Sequence, residues 1–229
     1  MTTYLFPPAA QAAVAVAGTD ARFPVHRIYC VGRNYAAHAR EMGMSDREPP
    51  FFFCKPADAV VASGTAIPYP ARTADFHHEI ELVIAIGTGG RDIARERALE
   101  HVLGYAVGID LTRRDLQAES KKAGKPWDTA KGFDRSAPLG AIRPARGDHP
   151  THGRIWLQVN GQMRQQGDIA DLIWSVPETI AELSTFFDLV PGDLIFTGTP
   201  AGVAAVKAGD RLEGGVDGVG TVTTSIVAA

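Results

Sequence analysis

The sequence predicts one β-rich, mixed α/β (α+β) domain. Short apolar or alternating runs, punctuated by glycine and proline, recur along the chain and dominate its C-terminal half. Helical spacing and helix caps occur between those runs rather than in a block of their own. No internal repeat or flexible linker divides the 229 residues, a length that can bury one sizeable core.

Residues 1–24 are rich in alanine and proline and read as an N-terminal extension, coil or short strand over the surface, ahead of a single domain over 25–229. Arg27–Val31 (RIYCV) is a short apolar strand that Gly32 breaks. Asn34 is placed to cap a helix over Tyr35–Met42, with Gly43 to end it. Phe51–Lys55, held between Pro50 and Pro56, predicts a buried aromatic strand. His77–Ile86 (HHEIELVIAI) alternates: His78, Ile80, Leu82, Ile84 and Ile86 share one face, and His77, Glu79, Glu81, Val83 and Ala85 the other. The second face starts acidic and turns apolar, which places the acids at the rim of something enclosed. Ile93–Leu103 has helical spacing, Gly104–Asp110 reads as a strand ending in an acid, and Arg113–Ala123 is a charged helix stopped by Gly124 and Pro126. Lys125–Asp134 is an irregular loop. Asn160-Gly161 signals a hairpin within Ile155–Gln165, and Ser175-Val176-Pro177-Glu178 is a capping box that starts a helix to about Phe187. Pro191-Gly192 turns the chain into Asp193–Thr197, and residues 210–227 read as short strands with glycine turns.

Composition excludes several function classes. Lys+Arg 23 against Asp+Glu 26 gives a net charge of −3, which offers no electrostatic case for nucleic acid or an anionic membrane. Cys30 and Cys54 have no metal-ligand spacing and read as buried reduced thiols, in keeping with a cytoplasmic protein. The apolar patch Ala9–Ala17 has no basic residue before it, so a signal peptide is not expected, and no run is long enough to predict a membrane span.

The chemistry concentrates in few places. Glu79 and Glu81 lie two apart on a strand face, and Asp110 ends the next apolar strand. Three clustered carboxylates repel one another and imply a counter-charge, for which a hard divalent cation is the natural candidate; an exposed strand with two solvated glutamates is the plain alternative. His38 and Glu41, three apart on the predicted helix, have the pattern of a base oriented by an acid, although spacing alone favours an ordinary surface pair. Lys131 lies in a loop, either to stabilise an oxyanion or merely solvated. Arg114 and Gln117 share a helical face close after Asp110, suited to a substrate carboxylate or to plain solvent exposure. Gly198-Thr199-Pro200 offers backbone and hydroxyl donors to an anion, or is a simple turn. Gly87–Gly90 and Gly214–Gly220 do not fit a dinucleotide fingerprint, and no Gly-x-Ser-x-Gly elbow is present.

Taken in order, Gly32-Arg33-Asn34-Tyr35 with His38 and Glu41, Lys55-Pro56, His78-Glu79-Ile80-Glu81, Gly108–Asp110 with Thr112, Arg114, Asp115 and Gln117, Lys131-Gly132-Phe133-Asp134, and Thr197-Gly198-Thr199-Pro200 with Gly202-Val203 resemble the fumarylacetoacetate hydrolase family from about Ile28 onward. The resemblance implies that family's C-terminal-domain fold in its compact single-domain form, and a homodimer. It implies Mg²⁺ or Mn²⁺, with Ca²⁺ as a possible substitute, on Glu79, Glu81 and Asp110. It implies a His38–Glu41 dyad on a lid helix, Lys131 in the active site, and Arg114, Gln117 and Thr199 against substrate. The expected activity is hydrolysis of a carbon–carbon bond in a small 2,4-dioxo acid. Tyr4–Pro8 and Phe23–Cys30 are most similar to a bacterial branch acting on fumarylpyruvate, in breakdown of aromatic compounds. An acylpyruvase, an oxaloacetate decarboxylase or an isomerase of unsaturated dioxo acids would use the same chelate. A non-catalytic metal-binding scaffold is the alternative of another class, and the presence of His38 and Lys131, which a scaffold does not need, speaks against it.

Overall fold

The computed structural model describes residues 3–35 and 48–229. An eight-stranded mixed sheet forms the centre. Its path runs Phe51–Lys55, Ile28–Gly32, Leu194–Phe196, Ile80–Ile86, Val102–Ile109, Ala137–Leu139 and Val60–Ala62, with Arg143–Pro144 also on Val102–Ile109. A five-stranded sheet packs against it, ordered Gln162–Asp168, Arg154–Val159, Arg211–Val216, Gly220–Val227, Ala66–Pro68. The three α-helices among the described residues are α1 (Arg114–Ala123), α2 (Asp128–Lys131) and α3 (Val176–Phe186).

The strand Ile80–Ile86 is buried along its whole length, because both of its faces are covered. Ile80, Leu82, Ile84 and Ile86 enter the larger core, which they share with Leu157, Leu212 and Val222 of the five-stranded sheet. Val83 and Ala85 enter a second core on the opposite side with Ile28, Leu194 and Phe196. That second core also takes Val14 and Phe23 from the N-terminal hairpin of Ala13–Ala15 and Arg22–Pro24, so this segment packs inward and does not merely cross the surface.

Several turns form as their residues dictate. Asn160 and Gly161 adopt φ of 53° and 76°, the conformation a two-residue hairpin turn needs. Ser175 and Glu178 close the capping box of α3, with proline in the first turn. Gly124 ends α1 in a left-handed cap at φ 62°.

Four expectations are corrected. Ile93–Leu103 is not an α-helix: a 3₁₀ helix covers Arg95–His101, and Val102 and Leu103 are drawn into the sheet, where Val102 pairs with Ile86. The loop Lys125–Asp134 contains the helical turn α2. Phe51–Phe53 are half-buried rather than core, because that strand lies at the sheet edge beside a cavity. Cys30 is buried, but Cys54 is exposed. The helix expected over Tyr35–Met42 lies outside the described residues beyond Tyr35, which bridges to Leu172. No helix among the described residues is long and apolar enough to cross a membrane.

Candidate metal centre and active site

Register creates the site. Ile80 pairs with Ile109 and Glu81 with Gly108, so one step further Glu79 stands opposite Asp110. The backbone N–H of Asp110 donates to the Glu79 carbonyl at 2.8 Å. Side chains alternate along each strand, so Glu79, Glu81 and Asp110 project to one face. One carboxylate oxygen from each lies within 4.8 Å of the other two, and all three residues are buried. Gly108, opposite Glu81, lets Phe196 and Val83 pack against the strand: a Cβ there would come within 2.6 Å of the Phe196 ring and 2.8 Å of Val83.

Among the described residues three cations surround the acids, each from a different element. Lys131, at the end of α2 and 2% exposed, donates to Glu79 Oε2 at 2.8 Å and Asp110 Oδ2 at 2.6 Å. Arg114, which opens α1, pairs with Glu79 and donates to Gln117 Oε1 at 2.5 Å. Lys55, from the edge strand, places Nζ 2.8 Å from Asp110 Oδ1. That contact is ionic without hydrogen-bond alignment, so Asp110 Oδ1 is a buried oxygen with no hydrogen-bond donor among the described residues. Lys55 Nζ donates instead to the carbonyls of Lys131 and Leu111.

The charges are shared unevenly. Burial alone would raise the Glu79 carboxyl, but Lys131 and Arg114 hold it below the ordinary range. Burial opposes the Lys131 charge, yet Asp110 and Glu79 push its ammonium up to about 12. Among the described residues Glu81 receives only the Gly198 backbone N–H, at 2.7 Å. Burial, then Asp110 and Glu79, push its carboxyl well above the ordinary range. A divalent cation among the three carboxylates would supply the ion-pair partner that Glu81 lacks among the described residues, and a partner for Asp110 Oδ1. The all-oxygen donor set suits Mg²⁺, Mn²⁺ or Ca²⁺.

The loop 197–200 is aimed by two buried amides. Asn34 donates to the carbonyls of Thr197 (2.8 Å) and Trp174 (2.9 Å) and accepts from the Trp174 N–H (2.7 Å). Gln165 accepts from Ile80 N–H and bonds His78, and it donates to Thr199 Oγ1 and the Pro200 carbonyl. Gly198 at φ 98° turns its N–H toward Glu81. Thr199 donates its hydroxyl to the Ile80 carbonyl at 2.7 Å, so that proton is not offered to an anion.

A cavity of about 440 Å³ opens over the acids. Glu79, Glu81, Asp110, Lys131, Arg114, Gln117 and Thr199 all line it. His38 and Glu41 lie outside the described residues. Lys55 had appeared in the sequence only as half of a Lys-Pro pair, and its place beside Asp110 comes from strand pairing that no local pattern announces. Lys121 was missed for a simpler reason. It sits seven after Arg114 and four after Gln117, on the helical face already marked by those two residues. His77 also lines the cavity, accepting from Arg114 Nε at 3.4 Å and bonding Asp75 at 2.7 Å.

Residues 27–227 match the family model described as fumarylacetoacetate (FAA) hydrolase C-terminal. The crystal structure of fumarylpyruvate hydrolase from Pseudomonas aeruginosa in complex with Mn²⁺ and pyruvate is 56% identical, covers 99% of this chain and 100% of that one, and superposes with a TM-score of 0.97. The fumarylpyruvate hydrolase of Ralstonia sp is 45% identical over 179 residues, 78% of this chain and 93% of that protein. The mitochondrial oxaloacetate tautomerase of Rattus norvegicus is 44% identical over 193 residues, 84% of this chain and 87% of that protein. A family match over nearly the whole chain, on a fold that superposes throughout, has one reading: this chain belongs to the fumarylacetoacetate hydrolase family and is an enzyme of its carbon–carbon hydrolase and isomerase chemistry.

Proposed function

We propose that the protein is a divalent-metal-dependent hydrolase that cleaves the carbon–carbon bond of a 2,4-dioxo acid, with fumarylpyruvate as substrate and fumarate and pyruvate as products. The observation that carries this reading is the buried triad itself: Glu81 has no ion-pair partner among the described residues, and the cavity above it also carries Arg33, Arg114, Lys121 and Lys131. Such a site suits a cation together with an organic anion. The similarity to fumarylpyruvate hydrolases from two bacteria supports this substrate.

Glu79, Glu81 and Asp110 would hold Mg²⁺ or Mn²⁺, with Ca²⁺ as a substitute. When bound, the ion would polarise the substrate's C1 carboxylate and C2 carbonyl and so stabilise the pyruvate enolate that leaves. Arg114 and Gln117 fix the acid head, with Thr199 beside them on the cavity wall. His38, oriented by Glu41, takes a proton from the water that attacks C4. Lys131 supplies positive charge to the oxyanion that develops there. The C3–C4 bond then breaks, its electron pair passes to the enolate, and C3 takes up a proton. In this reading residues 25–229 are the catalytic domain, residues 1–24 an extension, and the chain works as a cytoplasmic homodimer.

The tautomerase relative favours a second reading, proton transfer on oxaloacetate with no attacking water. Steady-state rates with fumarylpyruvate, acetylpyruvate and oxaloacetate, each with Mn²⁺ and Mg²⁺, separate the two. Fumarylpyruvate should show the highest kcat/KM by about tenfold or more. Fast oxaloacetate conversion beside negligible fumarylpyruvate cleavage would reverse the order.

A further inference from the structure

The cavity has a second charged end. Arg33 lines it with a left-handed backbone at φ 63°, a conformation that costs a non-glycine residue energy. Its guanidinium lies over the Phe51 ring at 5.4 Å, and its buried Nε has no hydrogen-bond partner among the described residues. Lys121, on the cavity face of α1, lies over the Trp127 ring at 5.0 Å. Neither cation has a carboxylate partner among the described residues. The two rings that carry them form an edge-to-face pair, with centroids 5.1 Å apart. The same Trp127 packs on Phe53 at 5.6 Å, and Lys131 lies over Phe53 at 5.1 Å. One continuous aromatic wall therefore leads from the carboxylate triad to these two cations.

Partly desolvated cations on a cavity wall are costly unless an anion joins them, and the anions already described in this site are matched by Lys55, Lys131, Arg114 and the metal the triad would hold. The flat rings between the two ends suit a planar, conjugated chain lying against them. We infer that Arg33 and Lys121, carried on the Phe51–Trp127 pair, form a subsite for the distal carboxylate of a dicarboxylic substrate, and thereby select a diacid such as fumarylpyruvate over a mono-acid such as acetylpyruvate. This rests on the dioxo-acid reading above and names the residues that recognise the substrate beyond C4. Arg33 contributes a fixed planar fork, and Lys121 contributes a movable point charge.

Two uncleavable 2-oxo acids of equal length test it by binding, without turnover: 2-oxopimelate, which carries the distal carboxylate, and 2-oxoheptanoate, which ends in a methyl group. With the Mn²⁺-loaded protein, calorimetry should find 2-oxopimelate bound at least about tenfold tighter. In Lys121→Met and in Arg33→Met that ratio should fall toward one, and Lys121→Arg should restore most of it. Equal affinity of the wild-type protein for both acids would overturn the subsite, as would an unchanged ratio in both methionine variants. Failure of the dioxo-acid reading shows elsewhere, as absence of fumarylpyruvate cleavage by a protein that still prefers 2-oxopimelate.

Discussion

The two ends of the cavity are built in opposite ways. The acidic end stands on paired strands: Glu79, Glu81 and Asp110 are fixed by ladder register, and their surroundings are buried and bonded by Lys131, Gly198 N–H and the Gln165 and Asn34 amides. The far end stands on a strained loop residue and the last turns of a helix, with half-buried cations resting on aromatic rings. Chemistry that tolerates little displacement sits on the sheet. Charges that choose among substrates sit where a side chain can change without disturbing the core.

That contrast can be broken first at its most rigid point. Glu81→Ala should abolish metal-dependent turnover, a loss of about a thousandfold or more, and should weaken Mn²⁺ binding measured by calorimetry. Full activity after chelation would remove the metal from the proposal. Next in size is Lys55→Met, which strips Asp110 of a buried counter-charge, removes the side-chain donor to the Leu111 carbonyl and leaves the Lys131 carbonyl to the Ser136 hydroxyl. Denaturant unfolding of the metal-free protein should show a loss of about 3–5 kcal/mol; an unchanged midpoint would mean that Lys55 is not part of the charge balance. Gln165→Leu removes four hydrogen bonds that join Ile80, His78 and the 199–200 loop, and should cost about 2–3 kcal/mol in the same assay. It should also raise KM, because the Thr199 loop loses its anchor.

The smallest expected effect concerns pH and the far end. Burial, together with the Arg114 and Arg33 charges, lowers the Lys121 ammonium to about 8, opposed by Glu79 and joined by Lys131. The group is charged below that value and neutral above it. The preference for 2-oxopimelate over 2-oxoheptanoate should therefore weaken as pH rises from about 7 to about 9, and Arg33 should keep part of it. A preference that strengthens over that range would sharpen the comparison against Lys121.

Much was legible because it was local. The Asn160-Gly161 turn, the Ser175 capping box, the Gly124 cap and the alternation of 80–86 are each fixed by residues a few positions apart, and each forms as its chemistry requires. The pairing of Glu79 with Glu81 has the same origin, since side chains two apart on a strand must share a face. The errors came where tertiary demands overrode local pattern. Val102 and Leu103 were claimed by the sheet from a helix-like run, and the aromatic strand 51–53 was left at an edge to wall the cavity.

By itself, then, the sequence determined a β-rich α+β domain, a pair of strand acids that need a counter-charge, and the face of α1 that carries Arg114 and Gln117. Only the tertiary structure decided that Asp110 faces Glu79, that Lys55 and Lys131 meet the same carboxylates, that the Thr199 hydroxyl is already committed, and that Arg33 and Lys121 share one aromatic wall. The reason is physical. Periodicity fixes which residues share a face of one element, whereas register between strands and the approach of distant loops are set by the packing of the two cores, which no stretch of neighbouring residues contains.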